Sequence, residues 1–248
     1  LARRLGVNPS SRPLGNMAEQ RSSHYASFQR RVSATFQLAD SLVMVGRSIA
    51  EPFLGEKLVV DENVKSLYPD MFADAIATVP SGEEHKNLST IQNLWRGFNS
   101  SMISRRDLIS AAGGGVTLDL AGFAASTWMR GVDWVNFPTT LLSMVDASTG
   151  GKTGCDLPEG KNLIGSFHNP RLVVVDTTFL QTLSDGHLKQ GLAEMIKHEI
   201  ISGEKHITCS KTPSAEEIAS SLKVKVDIVV SDPFEKKGAR ALLNCGHT

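Results

Sequence analysis

The 248-residue chain is poor in cysteine, in long apolar runs and in any excess of one charge, and each shortage argues against a class of function. Cysteine occurs at Cys155, Cys209 and Cys245 alone, an odd number with no C-x-x-C spacing. That excludes a disulfide framework and a thiolate zinc knuckle and argues for a reducing compartment. Lys plus Arg and Asp plus Glu both number 26, so no global field draws a polyanion or an acidic lipid surface, and nucleic acid is not expected as a partner. The apolar runs, such as Leu172-Val173-Val174-Val175, are of strand length. A membrane helix needs ~20 apolar residues, so no membrane partner is expected either.

What is present falls into three parts. Residues 1–39 are rich in Arg and Ser, with Glu19 as their sole acid. This composition reads as a disordered basic extension, giving a cytoplasmic protein, or as a transit peptide, giving a plastid or other organelle protein. From 40 to 176, short apolar runs alternate with helical patterns, the signature of an α/β domain. The runs Ser41 to Val45, Lys57 to Val60, Ala75 to Val79, Leu108 to Ala112, Trp134 to Phe137 and Leu172 to Val175 predict strands, and Leu88 to Phe98 and Leu120 to Met129 predict helices. From 177 to 248 strand signals thin out, and Phe179 to Ile201 and Ala215 to Val230 predict a mostly α-helical second domain.

Five constellations carry chemistry. Gly113-Gly114-Gly115-Val116 follows a strand run and precedes a helix, which lets backbone amides approach a pyrophosphate. The G-x-G-x-x-G fingerprint fails at Leu118, and a tight turn without a ligand is the competing account. Pro138 to Gly165 gathers hydroxyls, Asp146, Lys152, Lys161, Asn162 and several glycines, a span too polar for core and too ordered for a solvated loop. Its Gly151-Lys152-Thr153 imitates a nucleotide-triphosphate loop, but Asp146 stands where that loop needs glycine. Lys152 is better read as a point charge for a phosphate or carboxylate, with Asp146 accepting from substrate hydroxyls. Pro80 to Lys86 offers acceptors for ribose hydroxyls or, more plainly, forms a turn and helix cap. Glu194 and Lys197 form either a surface helical pair or, given Ala193, Met195 and Ile196 beside them, a buried carboxylate seeking a metal; His198 lies four residues beyond Glu194 and could also ligate. Arg240, Asn244 and His247 recur at roughly helical spacing, so one face would present a guanidinium, an amide and an imidazole together or, more plainly, be a structural face with a satisfied histidine.

In this order the motifs resemble the 3-dehydroquinate synthase family, from about Ser41 to Thr248. The resemblance implies a Rossmann-like N-terminal NAD domain, a helical C-terminal domain and a divalent metal, zinc or cobalt, in the cleft. It implies conversion of a phosphorylated sugar acid, 3-deoxy-D-arabino-heptulosonate 7-phosphate, to 3-dehydroquinate and phosphate in the shikimate pathway, by a homodimer. By the same resemblance Asp61, Asn63, Glu83, Lys86, Gly114, Gly115, Val116, Asp119, Thr139, Thr140, Lys161, Phe179 and Thr182 hold NAD. Arg130, Asp146, Lys152, Asn162, Lys197, Lys225, Arg240 and Asn244 hold the substrate, all but Arg130 counted with Glu235, a proton acceptor, as the catalytic set. Glu194 and His247 ligate the metal, and a third ligand is expected beyond Thr248. The chain departs from the family at Leu118, where glycine is usual; at Asp185-Gly186-His187, in place of an Arg-Glu pair; at His198-Glu199, where Tyr-Gly is common; and by one extra residue in Asp232 to Gly238. The alternatives are another sugar-phosphate cyclase and, because two protein ligands leave a metal centre short, a non-catalytic NAD-binding fragment.

Overall fold

A computed structural model describes residues 29, 31–38, 41–208, 212–236 and 238–246. Seven strands form one sheet: β1 (Val32–Leu38), β2 (Ser41–Gly46), β3 (Leu58–Asp61), β4 (Ala77–Val79), β5 (Leu108–Gly113), β6 (Asp133–Pro138) and, after a hairpin of β7 (Lys152–Leu157) and β8 (Gly160–Phe167), β9 (Leu172–Asp176). Their spatial order is β1-β2-β9-β6-β5-β3-β4, all parallel except β1. The helices are α1 (Glu62–Leu67), α2 (Leu88–Ser100), α3 (Gly115–Thr127), α4 (Asp185–Ser202) and α5 (Ala215–Ser231).

The continuous apolar runs of β2 and β9 suit strands covered on both faces. Alternation then assigns neighbouring residues to different cores. In β3, Val59 packs with Ile109, Phe98 and Leu120 under α2 and α3, while Val60 packs with Phe137, Val174 and Leu222 on the side of α5. The result is a three-layer α/β arrangement in which α4 and α5 share a core with the sheet.

Three expectations change. Val32 to Leu38, placed in the basic extension, is edge strand β1; Val32, Ala34, Phe36 and Leu38 turn inward while Ser33, Thr35 and Gln37 stay exposed. Residues 1–28, 30 and 39 of that extension lie outside the described residues. Pro138 to Gly165 is not too polar for the interior, because Thr139, Ser143, Ser148 and Thr149 are buried with Leu141, Met144 and Val145. Ser143–Ala147 forms a wide π turn, and the remainder becomes the hairpin. A side chain on Gly122 of α3 would collide with Thr153 and Trp134, so this glycine admits the hairpin against the helix. Finally, the predicted helix from Phe179 is two elements, a 3-10 segment Thr177–Thr182 and then α4, because Ser184 caps α4 by accepting from His187 N. Among the described residues no helix is long and apolar enough to cross a membrane.

Candidate active site

The sheet's carboxyl edge makes the first half of the site. From β3 the chain steps to β4 on one side and then back to β5 on the other, which opens a crevice above β3 and β5. Gly113 closes the turn there, since a Cβ on it would stand 2.6 Å from Thr117 Cβ. Gly114 then caps α3 with no side-chain bond, which leaves the first amides of a 13-residue helix to an anion that enters. By contrast α1, α2, α4 and α5 are capped by Asp61, Asn87, Ser184 and Ser214.

A cavity of about 660 Å³ occupies this crevice. Its walls include every residue assigned to NAD except Lys161, whose Nζ lies 3.0 Å from Glu83 Oε1 at the rim. Asp61 is anchored through Oδ1, which accepts from Ser81 Oγ at 2.8 Å and Asn63 N at 3.0 Å. The segment Pro80 to Lys86 forms the turn and helix cap weighed for it, with Glu83–His85 a 3-10 turn leading to the Asn87 cap, and its Ser81, Glu83 and Lys86 also line the cavity. Leu118, the departure from the glycine pattern, points away from the crevice and is buried in the core with Leu120 and Phe123, so it does not obstruct the glycine turn.

A second cavity of about 600 Å³ adjoins the first. Asp146, Lys152, Asn162, Lys225, Arg240 and Asn244 line it, and Asp119 lines both cavities. The buried Lys225 ammonium pairs with the Asp146 carboxylate, and Lys152 pairs with Glu235, whose other oxygen accepts from Asn244 Nδ2 at 2.9 Å. Those bonds from Lys152 and Asn244 hold the Glu235 carboxyl below its usual range. Arg240, buried in the 3-10 segment Ala239–Asn244, donates to Pro233 O at 2.7 Å and Gly150 O at 3.0 Å. A side chain on Gly150, whose φ is +99°, would run into that guanidinium.

Between the cavities, Lys86 Nζ donates to Asp119 Oδ2 at 2.7 Å and to Asn162 Oδ1 at 2.6 Å. Burial pushes the Asp119 carboxyl up to about 6, against the pull of Lys86. Asp156, which the sequence did not single out, locks the hairpin to this point. Its N donates to Lys86 O at 2.7 Å, and its Oδ1 accepts from Asn162 N at 2.6 Å, holding Asn162 at φ +55°. Its only sequence signal was an acid two residues before a hairpin turn, too common to select.

Glu194 is buried, so the surface-pair account of it fails. Lys197 Nζ lies 2.7 Å from its Oε1 and also donates to Leu243 O at 2.6 Å. Burial raises the Glu194 carboxyl, but the nearby His198 imidazole and Lys197 ammonium outweigh it, and the net shift is downward. An anionic buried carboxylate beside an imidazole fits a divalent cation. His247 lies outside the described residues, and among the described residues no group of three metal-type side chains occurs. Arg130 is exposed in the turn after α3 and lines neither cavity. The walls of the first cavity also include Tyr68, Ser184, His187 and Gln190, to which the sequence assigned no ligand because α1 and α4 approach from distant parts of the chain.

Among curated proteins, the chain is 42% identical over 211 residues to the 3-dehydroquinate synthase of Symbiobacterium thermophilum, covering 77% of this chain and 59% of that protein. The chain spans about half to two thirds of the length of the curated relatives it matches. Among solved structures, 2-deoxy-scyllo-inosose synthase complexed with carbaglucose-6-phosphate, NAD+ and Co2+ superposes with a TM-score of 0.73 at 25% identity, covering 86% of this chain and 67% of that one. The 2-epi-5-epi-valiolone synthase of Streptomyces hygroscopicus subsp. jinggangensis, with NAD+ and Zn2+ bound, gives 0.72 at 29% identity, covering 88% and 68%. Family models described as 3-dehydroquinate synthase N-terminal and 3-dehydroquinate synthase C-terminal match residues 76–190 and 191–248, meeting inside α4. With both halves of the family pattern present in order around one pair of joined cavities, the chain belongs to the 3-dehydroquinate synthase family.

Proposed function

We propose that this chain carries the cofactor- and substrate-binding machinery of a 3-dehydroquinate synthase, which converts 3-deoxy-D-arabino-heptulosonate 7-phosphate to 3-dehydroquinate and phosphate. The observation that carries the reading is the join at Asp119: one cavity is floored by a glycine turn at a helix N-terminus, and the next is ringed by Lys152, Lys225 and Arg240. A dinucleotide suits the first and a phosphorylated, carboxylated sugar the second.

In this reading the amides of Gly114 to Val116 take the pyrophosphate, while Asp61, Asn63 and Glu83 accept from or order the ribose side. Lys152, Asn162 and Arg240 hold the substrate's anionic groups, and Asp146, kept in place by Lys225, accepts from its hydroxyls. Glu235 is ionised at neutral pH and stands at Lys152, where it can accept a proton. Bound NAD would supply a hydride acceptor and donor, and a divalent metal on Glu194 and His247 would polarise the oxygen of the alcohol being oxidised. Asp119 and Lys86 set the distance between the two ligands.

The test is anaerobic incubation of the chain with the heptulosonate phosphate, NAD and zinc. The expected result is release of phosphate and dehydroquinate in equal amounts. The likeness to two cyclases of other products favours a second reading, a related cyclase acting on a sedoheptulose or hexose phosphate. A different carbocycle formed from one of those substrates would move the assignment there. Stoichiometric NAD binding with no carbocycle from any of them would leave a non-catalytic NAD-binding fragment.

A further inference from the structure

A polar seam runs through the otherwise apolar contact between α4 and α5. On α4, Glu194 and His198 lie one turn apart and are both buried, and opposite them on α5 stands Ser221, fully buried as well. His198 Nδ1 meets Ser221 Oγ at 2.8 Å. Its Nε2 is buried, makes no hydrogen bond of acceptable geometry, and lies 3.4 Å from Glu194 Oε1. A fully buried imidazole nitrogen left in that state costs free energy, so the position calls for a reason.

The Ser221 contact supplies one. When Nδ1–H donates to Ser221 Oγ, Nε2 carries a lone pair, and that lone pair looks at a carboxylate oxygen. Two electron-pair donors facing each other in a buried seam are unfavourable unless a cation lies between them. The spacing is that of two ligands of one ion, since the edge of a tetrahedron with bonds of ~2.1 Å is roughly 3.4 Å. An acceptor for the far ring N–H is the usual support of a ligating histidine, and the Ser221 hydroxyl stands in that position here. Lys197 provides the positive charge at Glu194 Oε1, and its second acceptor, Leu243 O at 2.6 Å, gives the ammonium a place to stay when another cation arrives.

We propose that His198 Nε2 and Glu194 bind one divalent transition-metal ion together, so that a single turn of α4 contributes two of its ligands and Ser221 orients the imidazole. This rests on the metal-dependent reading above for the presence of a metal, and it adds a ligand at a position where the family resemblance assigns none. The competing account is a core histidine that donates Nε2–H to Glu194 across a long contact.

The decisive experiment is a zinc titration of the whole chain against a chromogenic chelator, with ¹⁵N-histidine NMR of the same samples. The expected result is one zinc per chain, with the His198 Nε2 resonance losing its proton on binding. E194Q and H198Q should each weaken zinc more than S221A, and S221A should weaken it by about 10- to 100-fold, as loss of an orienting partner does. Cobalt substitution should give visible bands that change in H198Q. A folded H198Q with wild-type zinc affinity, or a zinc-loaded wild type whose Nε2 is still protonated, overturns the role of His198 while leaving Glu194 as a ligand. A wild type that takes up no zinc overturns both this inference and the metal-dependent reading. The NMR readout needs no substitution, so it decides the matter even where H198Q fails to fold.

Discussion

The two cavities are walled by different materials. Around Gly114 the walls are mostly backbone amides, apolar side chains and the hydroxyls of Thr139, Thr140 and Thr182, with charge confined to Asp61, to the Lys86–Asp119 pair at the partition and to Glu83, which pairs with Lys161 at the rim. Around Arg240 they are charged side chains each held by a polar partner: Lys225 by Asp146, Lys152 by Glu235, and Arg240 by two backbone carbonyls. The first kind of wall is settled once the parallel strands are in register. The second exists only while its members neutralise one another, so damage to one group is passed to its partner.

That difference is open to attack by substitution, most strongly at the buried pair. Replacing Lys225 by Met removes the buried cation that pairs with Asp146, and the fold should lose about 3 to 5 kcal/mol, read from urea denaturation. An unchanged midpoint would mean that the pair contributes nothing to the fold.

A smaller effect is expected at the partition. Folded Asp119 takes a proton at about 6, whereas its ordinary value is 3.8. Between those values the folded chain holds a proton that the unfolded chain has released, so this group favours folding increasingly as pH falls from 7 towards 4. Glu194 and Glu235 are shifted downward and act in the opposite sense, with stability that is present above the ordinary value of 4.5 and lost as pH falls through their folded values. The stability of the wild type relative to D119N should therefore rise between pH 7 and pH 4, as measured by urea midpoints across that range. A constant gap would place the Asp119 titration outside the window.

Least of all is expected at the exposed rim. Lys161→Met should leave the urea midpoint unchanged, because solvent and salt already screen its pair with Glu83.

The same contrast explains what could be read from the sequence. The runs in β2, β3, β5, β6 and β9 announce themselves because strands buried on both faces are mostly apolar, and the glycine turn follows one of them directly. Strand β1 was hidden by its neighbours' composition, although Val32, Ala34, Phe36 and Leu38 alternate cleanly. The hairpin was hidden by its glycines and lysines, whose close approach to α3 and Arg240 only the folded chain reveals. Motif order brought the residues of both cavities forward. It could not show that Lys86 reaches Asn162, 76 positions away, or that Asp156 fixes that contact, because both depend on how the hairpin docks.

Lys86 has a consequence beyond position. Its single ammonium serves an acceptor in each compartment, Asp119 on α3 and Asn162 on the hairpin, so a ligand that draws this nitrogen to itself in one compartment changes what is left for the other. Thermodynamic linkage makes that exchange reciprocal: whatever factor the first ligand imposes on the affinity of the second, the second imposes on the first. The partition between the cavities is thus also the wire between them, and the order in which the two ligands load need not matter for how tightly the pair is finally held.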